Sequence, residues 1–333
     1  GKYNKNINIV VATSGDTGAA AIDAIKGKKN MNIFVLHPNN KISPVQRKLM
    51  STIKEQNVFN IAIEGNFDDC QNLVKSMFAD KDFSNSINMS GVNSINWARI
   101  IAQAVYYFYA YFVIGNKRPI NFSVPTGNFG DVYAGYLSKK MGLPINKLIV
   151  ATNQNDILHR AISTGKYEAE NVCETISPSM DIQIASNFER LIFDLNNFSD
   201  SETKNIMIKI KDEGKYVIPR ENLEKIKKNF LSASMSESET LNAIQETFEK
   251  YKIIIDPHTA IGFGALKKVE VEGDNVVLAT AHPCKFPDAI NKSINIKPAL
   301  PSELKHVMDL KENYDIIHND LKKIKQHIKS KIK

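Results

Sequence analysis

Apolar residues come in short runs at positions 7–11, 33–36, 58–63, 120–124, 148–151 and 276–280. Runs of that length, bounded by polar residues, predict buried strands. Between them apolar positions recur at helical spacing, which predicts helices ending near Ile25 and spanning about 44–54, 67–78, 94–112 and 132–141. Ser43 before Pro44 marks one start, with a hydroxyl at the N-cap and proline at the first helical position. Strands and helices alternate, so the chain reads as α/β with mostly parallel sheets. Residues 186–251 break the alternation. Nearly all helical in pattern and rich in Glu, Lys, Ser and Asn, they predict a helical insert, with a turn or short strand at 214–219.

Composition narrows the classes. With 333 residues, 43% hydrophobic and 24% charged, the chain has room for two packed domains. No run approaches the eighteen apolar residues of a membrane span, so no membrane partner is expected. Cys70, Cys173 and Cys284 are too scattered for a disulfide framework or a zinc site, which predicts a reducing compartment and a cytoplasmic location. The formal net charge of +7 is concentrated in residues 322–333, where Ile324, Ile328 and Ile332 recur every fourth position. An amphipathic helix with a solvated basic face accounts for that tail. A nucleic-acid partner is not expected, because no aromatic residue follows Tyr314 to interleave with the lysines.

Candidate chemistry lies in two strand-to-helix junctions. After the first strand come Thr13, Ser14, Gly15, Asp16, Thr17 and Gly18, hydroxyls among glycines at a helix start. That combination suits a carboxylate or phosphate, and equally an ordinary βα turn capped by Asp or Ser. The second junction is Pro125, Thr126, Gly127, Asn128, Phe129, Gly130 and Asp131, where two glycines let successive N–H groups curl around one phosphate. Neither has the spacing of a Walker A motif or of a dinucleotide-binding loop.

Taken with these junctions, the segments 39–46, 93–99, 151–156, Met180 with Asp181, Pro257 with His258, and 280–286 resemble threonine synthase, a fold-type II enzyme dependent on pyridoxal 5′-phosphate (PLP) and similar in fold to the tryptophan synthase β-subunit. The resemblance implies two parallel-sheet domains: a smaller one at 1–97 whose upstream part is missing, and a larger one at 98–333 carrying the insert. It implies conversion of O-phospho-L-homoserine and water to L-threonine and phosphate by a monomer or homodimer. Gly127, Asn128, Phe129, Gly130 and Asp131 match the cofactor-phosphate loop, Asp16 the position beside the pyridine hydroxyl, and Thr280 the contact to the pyridine nitrogen. Ser14 and Thr17 match the substrate-carboxylate loop; Asn93, Ser94, Asn96 and Arg99 match the substrate-phosphate site. Read alone, Arg99 also fits a surface helix and Thr280 a strand end. Lys41, Lys285, His258 and His282 fall in matched segments without an assigned role, and a structural histidine fits both His258 and His282.

The family carries its PLP-bearing lysine in a pattern like Gly-Pro-Thr-x-x-Phe-Lys-Asp upstream of the first loop. Here only Lys2 and Lys5 precede that loop. No catalytic lysine is therefore assigned, and the expectation is a fragment inactive by itself. The alternatives are a truncated homologue that binds a metabolite or PLP without catalysis, and another fold-type II enzyme such as a serine or threonine dehydratase.

Overall fold

The computed structural model describes residues 6–13, 15–92, 96–115 and 117–332. It divides into two compact units, residues 1–96 with 299–333 and residues 97–298.

The first unit is built on strands β1 (Ile7–Ala12), β2 (Met31–Pro38), β3 (Val58–Glu64) and β4 (Met89–Ser90). Alternate residues of β1 and β2 serve two separate cores. Ile9, Val11, Ile33 and Val35 pack with Ile22 and Ile25 of the helix Asp16–Ile25 and with Met50 of the helix Pro44–Ser51. Val10, Phe34 and Leu36 join Ile61 and Ile63 against Leu73, Val74 and Met77 of the helix Phe67–Ala79. A parallel sheet covered on both faces has this period-two division of its apolar residues.

In the second unit, β5 (Ile120–Pro125), β6 (Ile145–Thr152), β9 (Phe230–Ser234) and β10 (Asp274–Val277) form a parallel sheet in the order β10-β5-β6-β9, while β7 (Lys166–Glu168) and β8 (Lys215–Val217) pair antiparallel. Leu148 and Val150 face a core shared with Tyr107, Val132, Phe188 and Phe230; Ile149 and Ala151 face Ile261 and Ala265 of the helix Pro257–Lys268.

Three expectations need correction. Residues 299–333 do not belong to the larger unit. Strand β11 (Asp315–His318) extends the first sheet beside β3, and the helix Leu321–Lys331 buries Ile324 and Ile328 in the core of Leu73 and Met77. The amphipathic tail helix was readable, but its pattern names no partner. The segment 186–251 is not a purely helical insert, because β9 within it pairs with β6 along the second sheet. Strand β10 ends at Val277 rather than Thr280, which leaves Thr280 exposed in the loop beyond it. Among the described residues no helix is long and apolar enough to cross a membrane, and no three His, Cys, Asp or Glu side chains gather as a metal site.

Candidate active site

The fully buried β5 delivers residues 126–129 to the C-terminal edge of its sheet. Thr126 fixes the exit: its N–H donates to Ala151 O (2.7 Å) and its hydroxyl to Val124 O (2.6 Å). Phe129 then turns the chain with φ of 67°, a left-handed conformation that opposes a bulky side chain by about 1–2 kcal/mol. Complete burial of its ring, edge-on to Phe188 at 5.2 Å, offsets that strain. The ring belongs to the core, so what Phe129 offers a ligand is backbone.

The turn opens the helix Gly130–Lys140. Asn128 Oδ1 accepts from Gly130 N–H (2.8 Å), and the Asn128 carbonyl accepts from Asn187 N–H (3.0 Å). The first intrahelical bond runs from Tyr133 N–H to Phe129 O (3.1 Å), so the Asp131 and Val132 amides lie outside the helical ladder at the positive end of the dipole. Gly127 is packed against backbone: a Cβ there would stand 2.9 Å from Ser179 O and 3.2 Å from Met180 Cα. Only hydrogen fits, and the loop lies flat. The glycine backbone and helix-end amides are the donors that could serve as an anion cradle for a phosphate monoester such as that of PLP. The Asp131 side chain is engaged elsewhere. Tyr107 donates its hydroxyl to Asp131 O (2.7 Å) and Oδ1 (3.3 Å), and burial pushes the carboxyl up to about 6.

In the same unit, Asp256 joins the remaining matched segments. It caps the helix Pro257–Lys268 and is fully buried. Its Oδ1 accepts from His258 N–H and Nδ1–H, both at 2.9 Å; its Oδ2 accepts from the Thr259 hydroxyl and from Ala281 N–H (3.3 Å). Burial opposes the charge, but the donors from His258 and Thr259 outweigh it and hold the carboxyl below its ordinary range. Thr280 N–H donates to Thr259 Oγ1 (3.0 Å), and the Thr280 hydroxyl lies 3.2 Å from that oxygen and 3.4 Å from each Asp256 carboxylate oxygen. His258 Nε2 accepts from Ser179 N–H at 3.3 Å, on the segment seated against Gly127. Nearby, Asp181 accepts from Asn153 Nδ2 (2.7 Å), Asn155 Nδ2 (2.9 Å) and Thr175 N–H (2.9 Å), which ties β6 to residues 175–181.

Sequence reasoning gave no role to Asp256 or Thr259. An Asp immediately before a helix-starting Pro is a readable cap signal, but the cap alone does not reveal its link to Thr280.

In the first unit, the loop after β1 is held from within. Thr13 Oγ1 accepts from Gly15 N–H and Gly18 N–H, both at 2.9 Å, so Thr13 performs the capping expected of Ser or Asp. Gly15 has φ of 135° and lies against Gln46. Gln46 Nε2 donates to Asp16 Oδ1 (3.1 Å), and its own N–H donates to Ser43 Oγ (3.2 Å). The helix carrying Gln46 is fastened to the chain's returning end: Arg47 donates twice to Glu312 (2.8 and 3.2 Å), and Asn313 N–H donates to Ser51 O (2.6 Å). Thr17 lies in the first turn of the helix after the loop.

Arg99 occupies the first turn of the helix Trp97–Ile114, partly buried, three residues after exposed Asn96. Burial lowers its pKa below the ordinary arginine value, and it stays a cation. Ser14, Asn93 and Ser94 lie outside the described residues. His282 caps the short turn Pro283–Lys285 by accepting from Cys284 N–H (3.2 Å), a local structural role; Lys41 is exposed in the turn before Ser43.

Comparison with known proteins gives the family. The profile of pyridoxal-phosphate dependent enzymes matches residues 2–281, and that of the threonine synthase C-terminal region matches residues 259–328. A threonine synthase of Pseudomonas aeruginosa is 45% identical over 98% of this chain and 71% of its own length. That of Saccharomyces cerevisiae is 41% identical over 98% and 70%. The crystal structure of PLP-bound threonine synthase from Brucella melitensis superposes with a TM-score of 0.94 at 46% identity, covering 99% of this chain and 72% of that one. The chain therefore belongs to the threonine synthases, within the fold-type II pyridoxal-phosphate-dependent enzymes.

Proposed function

We propose that the substrate is O-phospho-L-homoserine, converted with water to L-threonine and phosphate, and that the residues above divide the work as follows. The observation that carries this reading is the joining, within one unit, of the Gly127–Gly130 cradle to the Asp256, Thr259 and Thr280 cluster. The backbone of Gly127, Asn128, Phe129 and Gly130, with the amides of Asp131 and Val132, would hold the cofactor phosphate. Thr280, its hydroxyl directed by Thr259 and Asp256, would meet the pyridine nitrogen. When bound, PLP supplies the electron sink that lets protons leave the substrate carbons next to its amine.

The remaining residues act on the substrate. Asp16, steadied by Gln46, would face the cofactor's ring oxygen, and Ser14 and Thr17 would receive the substrate carboxylate at a helix N-terminus. Arg99, with Asn93, Ser94 and Asn96 before it, would hold the substrate phosphate. A guanidinium suits that task because its planar fork presents parallel donors to a phosphate both before and after the C–O bond breaks. Orientation of the leaving group is then the protein's main contribution to the elimination.

The test is what the PLP-loaded protein binds and converts. Preferential binding of O-phospho-L-homoserine over L-serine is the expected result; release of phosphate and threonine in equal amounts would support the same substrate and overturn the expectation that this chain, with no catalytic lysine assigned, is inactive by itself. Preferential binding of L-serine with formation of a 2-oxo acid would return the dehydratase reading.

A further inference from the structure

His258 touches neither the phosphate cradle nor Thr280, yet it stands between them. Its ring is almost wholly buried, tilted against Phe286 at 4.8 Å. Nδ1 donates to Asp256 Oδ1 at 2.9 Å, and Asp256 is pressed from its other side by Thr259 and Ala281 donors. With Nδ1–H donated in that pairing, Nε2 is left to accept, and it accepts from Ser179 N–H at 3.3 Å. The Ser179 carbonyl oxygen in turn lies 2.9 Å from where a Cβ on Gly127 would stand. A continuous path therefore runs from Asp256 through the imidazole and the backbone of Ser179, whose N–H and C=O lie in successive peptide units, to the backbone of the cradle.

We propose that His258 is a positioning residue for the cofactor phosphate, using Nε2 to hold the Ser179 backbone against Gly127 and so fixing the curvature of the loop at Gly127–Gly130. The proposal rests on the reading of that loop as the phosphate cradle. A loop whose glycine must lie flat against a neighbouring backbone has its shape set by that backbone, and the Ser179 N–H bond anchors it. Asp256 serves both ends: it orients the imidazole that braces the phosphate side and the hydroxyls that direct Thr280. Loss of the brace would weaken recognition of the phosphate more than recognition of the ring.

The experiment compares affinities for pyridoxine 5′-phosphate and pyridoxine, which lack the aldehyde and cannot label surface lysines. Their ratio isolates the phosphate contribution. His258→Asn keeps an N–H donor near the Nδ1 position but offers no acceptor to Ser179; His258→Gln places an amide oxygen near the Nε2 position. The preference for the phosphorylated ligand is expected to fall about tenfold in His258→Asn and to change less than threefold in His258→Gln. An unchanged preference in His258→Asn overturns the proposal, as does an equal loss for both ligands in both variants. Gly127→Ala separates the two levels: a loss of preference there with none in His258→Asn refutes only the brace, whereas no loss in Gly127→Ala refutes the cradle itself. Should the asparagine variant not fold, 15N resonances of the wild-type imidazole decide the matter. A protonated Nδ1 and bare Nε2 are expected, and a protonated Nε2 overturns the proposal.

Discussion

Replacing Asp131 with asparagine tests the electrostatics of the cradle through stability. Asp131 lies in the first turn of the helix Gly130–Lys140, and burial raises its carboxyl from an ordinary 3.8 to about 6 despite the donor from Tyr107. That gap corresponds to about 3 kcal/mol, a ceiling because the side chain keeps some solvent contact. The sign follows from proton binding. Between pH 3.8 and 6 the folded chain retains a proton that the unfolded chain has released, so stability falls as pH rises and the full penalty stands above pH 6. Asparagine cannot ionise, and its Oδ1 can still accept from Tyr107. Two smaller effects act against the variant. It forfeits a carboxylate at a helix N-terminus, on the order of 0.3–1 kcal/mol, and it brings amide donors that need partners, about 1 kcal/mol. The variant should therefore be more stable than the parent by about 1–2 kcal/mol at pH 7.5, with the advantage gone near pH 4. Urea unfolding without cofactor, followed through the single tryptophan Trp97 in the same unit, measures this as a difference between two curves. A difference that is flat with pH, or one that grows on acidification, would refute the account of Asp131.

Other consequences concern the returning tail and the substrate phosphate. Burial opposes the Glu312 charge, but donors from Arg47 and Ser51 outweigh it and hold the carboxyl below its ordinary range. Glu312→Gln should thus lose about 1–2 kcal/mol at pH 7, seen as faster amide exchange over residues 310–331. That loss should vanish as acid titrates the parent carboxylate through its lowered pKa; equal exchange at pH 7 would show that the clamp contributes nothing. Ile328→Ala, at a fully buried position, should destabilise the first unit by about 2–4 kcal/mol in urea, and a change under 0.5 kcal/mol would contradict docking of the tail helix. Arg99→Lys should weaken binding of O-phospho-L-homoserine at least tenfold by calorimetry while leaving L-homoserine unaffected, because a point charge replaces a bidentate fork. Equal weakening of both ligands would remove Arg99 from the phosphate site.

Much of this architecture was legible because burial on both faces of a parallel sheet forces mainly apolar runs: residues 9–12 of β1 and 33–36 of β2 are unbroken, and β3 and β5 are interrupted only by Asn60, Asn121 and Ser123. Strand β9 escaped because Phe230, Leu231, Ser232, Ala233 and Ser234 form a short, half-polar segment among helices, and its pairing with β6 is a tertiary fact. The cradle was legible from Gly127 and Gly130. The left-handed turn at Phe129 was not, since a large aromatic is not a turn former and only the surrounding rings make that conformation tolerable. In the first loop, Thr13 caps the helix, and sequence spacing does not distinguish among adjacent hydroxyls and carboxylates. The polar links from Asp256 to Thr280 and from His258 to Ser179 join residues 24 and 79 positions apart, beyond any local pattern.

The most direct test of the central claim is amide hydrogen exchange of the whole chain with and without pyridoxine 5′-phosphate. If the Gly127–Gly130 cradle holds the cofactor phosphate, the amides of residues 127–132 should slow at least tenfold on binding, and inorganic phosphate should protect the same amides more weakly. Saturation of the protein with pyridoxine 5′-phosphate and no protection over residues 127–132 would contradict the claim, because the phosphate would then be held elsewhere.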